Sequence, residues 1–287
     1  MPRTLVLCFA LILAACSQAE DPPELVSETV AAATTAARKS AETTPQDHPA
    51  SPDRPKVVIA ADPWCPHNCV SGSASEGYMV DLAREALGLA GLELKYVNMS
   101  WARALEQAEA GYIDGVIGAF TSDAPGFIFP EESLGISHIE LYTQPAQDWQ
   151  YRGIDSLQNQ TLVALNGYSY SPELDDYIQR NRDNQKRVWI LSGPAPLERA
   201  IKLILEDRSD VLPEDRDVMA WTLKHQLPGV QLRMAGALHD TPVYIAFSPA
   251  SPRSAELADA LSRGIRELRA SGRLTEILAS YGVPAVD

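Results

Sequence analysis

Positive charge is scarce in this sequence: 24 Lys and Arg stand against 38 Asp and Glu, a formal net charge of −14. Nucleic-acid binding draws most of its affinity from neutralising phosphates, so this balance argues against a nucleic-acid partner. Long apolar runs are also missing, and no stretch after the first sixteen residues approaches the roughly 20 residues that a spanning helix needs. The body of the chain is therefore read as soluble. Histidine is sparse and isolated, at His48, His67, His138, His225 and His239, and no His-Glu-x-x-His, Gly-x-Ser-x-Gly or glycine-rich phosphate loop accompanies it. Nothing calls for a catalytic apparatus, a metal or a cofactor.

What is present begins with a basic Arg3, about ten apolar residues and then Leu13-Ala14-Ala15-Cys16. That order reads as a bacterial lipoprotein signal, in which Cys16 becomes the acylated first residue of the exported protein. Residues 1–16 are thus expected to be a signal peptide with lipidation at Cys16. Ser17 in place of Asp modestly favours the outer membrane in a Gram-negative host. Residues 17–54 are rich in Ala, Thr, Pro, Ser and Glu, bury too little to offset ordering entropy, and are expected to be a disordered tether.

About 230 residues remain for folding, enough for one large or two small lobes. Val57–Ala60 reads as a buried strand and Val80–Ala90 as a helix stopped by Gly91. Leu92–Val97 alternates as a strand, Ser100 can cap a helix running through Ala110, and Ile113–Ile117 follows as a strand. The pattern restarts with the strand Leu162–Leu165, a helix opened by Ser171-Pro172-Glu173, the strand Val188–Leu191, the helix Leu197–Glu206 and a short strand Asp210–Leu212. Two α/β lobes follow, and loops at the carboxyl ends of parallel strands place a ligand between them.

Several segments, taken in order and spacing, resemble the family 3 extracellular solute-binding proteins, the polar amino-acid receptors of ABC importers. They are Gly77-Tyr78-Met79-Val80-Asp81-Leu82, Trp101-Ala102-Arg103-Ala104-Leu105, Gly111–Gly118, Gly167-Tyr168-Ser169-Tyr170, Ser209–Asp215, Tyr244–Ser248 and Gly272-Arg273-Leu274 to Tyr281-Gly282. The resemblance implies a bilobal type II periplasmic-binding-protein fold, α/β, with two hinge crossings near Ile139–Thr143 and Val243–Phe247. Lobe 1 would comprise residues 55–141 and 244–287, and lobe 2 residues 142–243. It also implies a monomer on the periplasmic face of a membrane, held by its lipid alone, that closes on a small polar solute for an ABC permease or a sensor. Two alternatives use the same fold: a dehydratase-like enzyme, and an envelope interaction protein with a vestigial cleft.

The family's pattern gives as candidate ligand contacts Asp62, Trp64, Tyr78, Trp101, Ala119, Phe120, Thr121, Tyr168, Ser169 and Asp215. Amino-acid receptors of the family carry Thr-x-x-Arg after the third strand, and here Thr121-Ser122-Asp123-Ala124 puts Ala124 where the arginine forks onto the ligand carboxylate. A ligand held by its carboxylate is therefore not expected, unless Arg103 substitutes. Asp215, five residues after Asp210, matches the aspartate that pairs with the ligand amine, with Glu214 as a helper; capping the next helix is the competing role. Cys65 and Cys69 enclose Pro66-His67-Asn68, and an exported compartment favours a disulfide over a soft-metal site with His67 or free thiols.

Overall fold

The computed structural model describes residues 54–284, so the leader, Cys16 and the tether through residue 53 lie outside the described residues. The first strand, β1 (Lys56–Ala61), is apolar on both faces, with Val57, Ile59 and Ala60 wholly buried. Such a strand belongs inside a covered parallel sheet. It pairs in parallel with β2 (Glu93–Asn98) and β3 (Gly115–Ala119). Late in the chain β10 (Thr241–Phe247) enters antiparallel between β3 and β4 (Gly135–Ser137), which completes a five-stranded sheet of order β2-β1-β3-β10-β4.

Helices α1 (Tyr78–Leu89), α2 (Trp101–Glu109), α6 (Ser254–Ala270) and α7 (Arg273–Ser280) belong to this lobe. Met79, Leu82, Ala83, Ala86 and Leu87 are fully buried at the spacing of one helix face, which is why α1 lies where it does. Helix α6 packs along it. A Cβ on Gly264 would lie 2.5 Å from the carbonyl of Ala86 and 2.6 Å from its Cβ, so the two helices approach as closely as glycine permits.

The other lobe holds β5 (Ile139–Thr143) between β8 (Leu212–Asp215) and β9 (Arg233–Ala237), all antiparallel, and β6 (Leu162–Leu165) parallel to β7 (Val188–Leu191). Helices α3 (Pro172–Asn181), α4 (Pro196–Leu205) and α5 (Arg216–His225) complete it. Leu197, Ala200, Ile201 and Ile204 bring one face of α4 onto the buried β6. Ser171 Oγ accepts from Leu174 N at 3.2 Å with Pro172 at the first helical position, as the sequence predicts.

Three local expectations need correction. Ser100 sits at the N-cap of α2, but its side chain makes no capping bond and only its carbonyl serves, accepting from Ala104 N at 2.9 Å. The strand expected from Ile113 begins at Gly115, because Asp114 bonds Val58 through both its backbone N–H (2.9 Å) and its carboxylate (2.8 Å) and so forms the turn into the sheet. The strand expected at Asp210–Leu212 is divided. Asp210 and Val211 bond Thr161 at the start of β6, and the pairing with β5 begins only at Leu212.

The crossing segments also lie slightly upstream of expectation. Ile139–Thr143 is wholly a strand of the three-stranded sheet, and Val243–Phe247 is wholly within β10 of the five-stranded one. The chain passes between the sheets at His138 and across residues 238–240, where His138 Nδ1 and Asp240 Oδ1 lie 2.7 Å apart and Leu238 N donates to Ile139 O. The α6–α1 approach gives the first prediction: Gly264→Ala lowers stability by about 1–3 kcal/mol through overpacking, read from urea melts, whereas Gly88→Ala, with open space around its Cβ, does not.

Candidate functional site

The loop that leaves β1 is small and tightly built. Cys65 and Cys69 form a disulfide, and Trp64 and Asn68 exchange backbone hydrogen bonds of 2.6 and 3.1 Å. Its carbonyls then do the work of a helix cap: Pro66 O accepts from Tyr78 N and His67 O from Met79 N, at 3.0 and 2.9 Å. The approach is possible only because residue 77 is glycine. Gly77 has φ 104°, and a Cβ there would lie 2.5 Å from His67 O.

This loop aims His67 inward, fully buried. Its Nδ1 lies 2.7 Å from Tyr78 Oη and its Nε2 lies 2.9 Å from Asp215 Oδ1, while its ring leans on Trp64 with centroids 4.2 Å apart. Asp215 is also fully buried, and five donors converge on it. His67 Nε2, Asp217 N and Val218 N reach Oδ1; Ser137 Oγ and His138 N reach Oδ2, all between 2.8 and 3.0 Å. Burial opposes ionisation, but the charge and hydrogen bond of His67 with the backbone donors outweigh it, and Asp215 is held well below the usual carboxylate range. Asp215 therefore joins the two lobes and caps α5. Both oxygens of Asp215, expected to partner a ligand amine, are engaged within the protein, and the residue lines neither the cavity nor the groove described below.

The neighbouring carboxylate is arranged differently. Glu214 is 1% exposed; its Oε1 accepts from Trp64 Nε1 at 3.0 Å and Asp215 N at 2.8 Å, and its Oε2 is buried with no hydrogen-bond partner. Burial pushes its pKa up to about 8, against the pull of those two donors. It faces a cavity of ≈ 30 Å³ between the lobes, walled by Asp62, Trp64, Asn68, Trp101, Phe120, Asp123, Tyr168, Ser169, Tyr170 and Glu214 among others. Space of that size holds a water or two. Asp62 receives the Tyr168 hydroxyl at 2.7 Å from the opposite lobe, and desolvation raises it to about 6. Asp123 closes the turn after β3 by accepting from Phe120 N at 2.8 Å, and desolvation raises it to about 7. The walls thus carry three carboxylates and five aromatic rings, with no Lys or Arg among the described lining residues.

Of the candidates read from sequence, Asp62, Trp64, Trp101, Phe120, Tyr168 and Ser169 meet at this cavity. Tyr78 and Asp215 stand behind it on His67, Ala119 is buried within β3, and Thr121 is exposed on the following turn. Ala124 is buried and Arg103 is exposed on α2, and neither lines the cavity, so the proposed substitution of Arg103 for the missing arginine has no geometric support. Sequence reasoning missed Asn68 and Asp123 and left Glu214 a helper. The clustered Cys65-Pro66-His67-Asn68-Cys69 immediately after the first strand was the available signal for His67 and Asn68. A wider groove of ≈ 560 Å³ adjoins the cavity and shares Asp62, Trp64, Tyr168 and Glu214 with it.

Solved structures supply the comparison. A histidine kinase sensor domain with similarity to periplasmic binding proteins superposes with TM-score 0.66 at 18% identity, covering 82% of this chain and all of that one. A mutant of ArgBP from T. maritima gives 0.63 at 17% identity over 79% of this chain and 94% of its own. The GluR0 ligand-binding core from Nostoc punctiforme, in complex with L-glutamate, gives 0.62 at 16% identity over 79% and 100%. The fold is that of the bilobal periplasmic binding proteins. No family model matches the sequence, and no curated protein matches it.

Two predictions follow from the paired carboxylates. All five partners of Asp215 are donors, so an amide at that position must point its own donor at one group or another. Asp215→Asn is expected to cost on the order of 3 kcal/mol in urea melts, where loss of a cap alone would cost only tenths, since Asn caps as well as Asp. The ionised Asp215 contributes fully above the ordinary carboxylate range, and its contribution is lost as pH falls below that range. Glu214, Asp123 and Asp62 act in the opposite sense, because folding raises their pKa values. Their contribution is full below about pH 4 and is lost as pH rises through about 6 to 8. Stability is therefore expected to fall from pH 5 to pH 8, and Glu214→Gln to flatten that slope by up to ~1.4 kcal/mol per pH unit.

Proposed function

We propose that this chain is a solute-binding protein of the family 3 type, exported, anchored through a lipid on Cys16, and closing its two lobes on a small organic cation on behalf of an ABC importer or a sensor. The observation that carries the reading is Glu214: a buried carboxylate with one oxygen unpartnered, in a cavity that holds two more carboxylates and no base. A cation placed there supplies the charge partner that the protein withholds, and Trp64, Trp101, Phe120, Tyr168 and Tyr170 line the same space with aromatic side chains, the residue types that attract ammonium groups. Ala124 supports the same reading, since no guanidinium waits for a ligand carboxylate.

Domain assignment follows the sheets, with lobe 1 carrying the Cys65–Cys69 loop and lobe 2 carrying Glu214 and Tyr168. Among the described residues no helix is long and apolar enough to cross a membrane. The reading is non-enzymatic: the described His67 is enclosed by Tyr78, Asp215 and Trp64 and lines neither the cavity nor the groove.

Thermal shift against a metabolite panel tests it. Small primary amines are expected to raise the melting temperature in proportion to the logarithm of their concentration, by about 2.7 kcal/mol of added stability at a hundredfold excess over Kd, and Glu214→Gln to abolish the response. Stabilisation by dicarboxylates or common α-amino acids instead of amines would overturn the cation reading. Turnover of prephenate or arogenate would establish the dehydratase alternative, and silence towards every solute with co-purification of an envelope protein would establish a vestigial cleft.

A further inference from the structure

The wide groove is the part of the cleft with room for a ligand. At ≈ 560 Å³ it falls within the range of small-molecule sites, whereas the inner cavity, at ≈ 30 Å³, admits little more than a charged head. The two spaces are not separate sites. Glu214, Trp64, Tyr168 and Asp62 line both and so are the partition the two spaces share, joined in pairs by the hydrogen bonds Trp64 to Glu214 and Tyr168 to Asp62.

The remaining wall of the groove is mixed, with the polar side chains of Asn98, Ser100, Thr222 and Gln226 beside an apolar stretch. Pro63 and Met99 come from the first lobe, and Pro194, Pro196, Val218 and Trp221 from the second. Between the two prolines Ala195 holds φ 46°, a conformation that residues with a side chain seldom adopt, and it turns the chain into α4. Its charged members, Glu198 in the first turn of α4 together with Asp62 and Glu214, are all acidic.

We infer that the ligand is an amphipathic monoamine, its ammonium group against the unpartnered oxygen of Glu214 at the partition and its apolar body lying outward along Pro194, Pro196, Val218 and Trp221. This rests on the cation reading above and adds the rest of the molecule to it. A free carboxylate on the same ligand would face Asp62, Glu198 and Glu214 with no basic side chain to receive it, so an α-amino acid of equal length is excluded by charge. An amine with no body would leave the groove unused.

Titration calorimetry of the protein with methylamine, propylamine and pentylamine tests this, with norleucine and 1,5-diaminopentane as the zwitterionic and dicationic counterparts of the longest probe. Affinity is expected to rise about fourfold per methylene, as for transfer of a methylene out of water, with norleucine at least tenfold weaker than pentylamine. Trp221→Ala is expected to flatten the dependence on chain length, and a far-ultraviolet melt confirms that the variant is folded. The wild-type series decides by itself if it is not. Equal affinity for all three monoamines overturns the inference while the cation reading stands. Diaminopentane binding tenfold more tightly than pentylamine also overturns it, since the far end of the site would then seek charge. If no amine binds at all, the cation reading fails first and this inference with it.

Discussion

The contact between His67 and Asp215 is the constraint around which the cleft is built. A carboxylate with no exposure to water survives ionised only if its partners are assembled around it. Here they come from separate parts of the chain: the loop after β1, the edge strand β4, the hinge residue His138 and the first turn of α5. Removing any one of them leaves a charge without its full shell. The residue therefore ties the lobes together and fixes the start of a helix with the same two oxygens. Tyr78 extends the chain of polar groups into α1, so the disposition of the first helix of lobe 1 is coupled to the second lobe through three side chains.

Glu214 and Asp215 show how differently two adjacent buried carboxylates can be partnered. They are adjacent on β8, and alternation along the strand turns them to opposite sides. Asp215 meets donors on every side and is held ionised. Glu214 meets an indole, one backbone N–H and then nothing, and burial raises its pKa. The two environments push neighbouring carboxyl groups in opposite directions, Asp215 towards the ionised form and Glu214 away from it.

Much of the fold was legible because it rests on local rules. The buried runs Val57–Ala60 and Leu162–Leu165 could be little else than covered strands, and Ser171-Pro172-Glu173 announced a helix start that the structure contains. What the sequence did not show was tertiary. The divided strand at residues 210–212 depends on Thr161, some fifty positions away, and no local pattern encodes it. The same holds for the site. Aromatic residues after strands and in the Gly167–Tyr170 turn pointed towards the cavity, as Trp64, Phe120 and Tyr168 do. That Glu214 lines the cavity while Asp215 is taken up by His67, by contrast, turns on the pleat of one strand and on where His67 arrives from across the cleft. A shift of one residue in an acidic pair is invisible to spacing arguments and decisive for chemistry.

The Cys65–Cys69 ring has a mechanical meaning. Trp64 abuts it and His67 lies inside it, and each makes a bond to the facing lobe, one to Glu214 and one to Asp215. Because the segment is covalently closed and its carbonyls accept from the first turn of α1, the indole and the imidazole are carried by one short braced loop, and two of the bonds that cross to the facing lobe start from it.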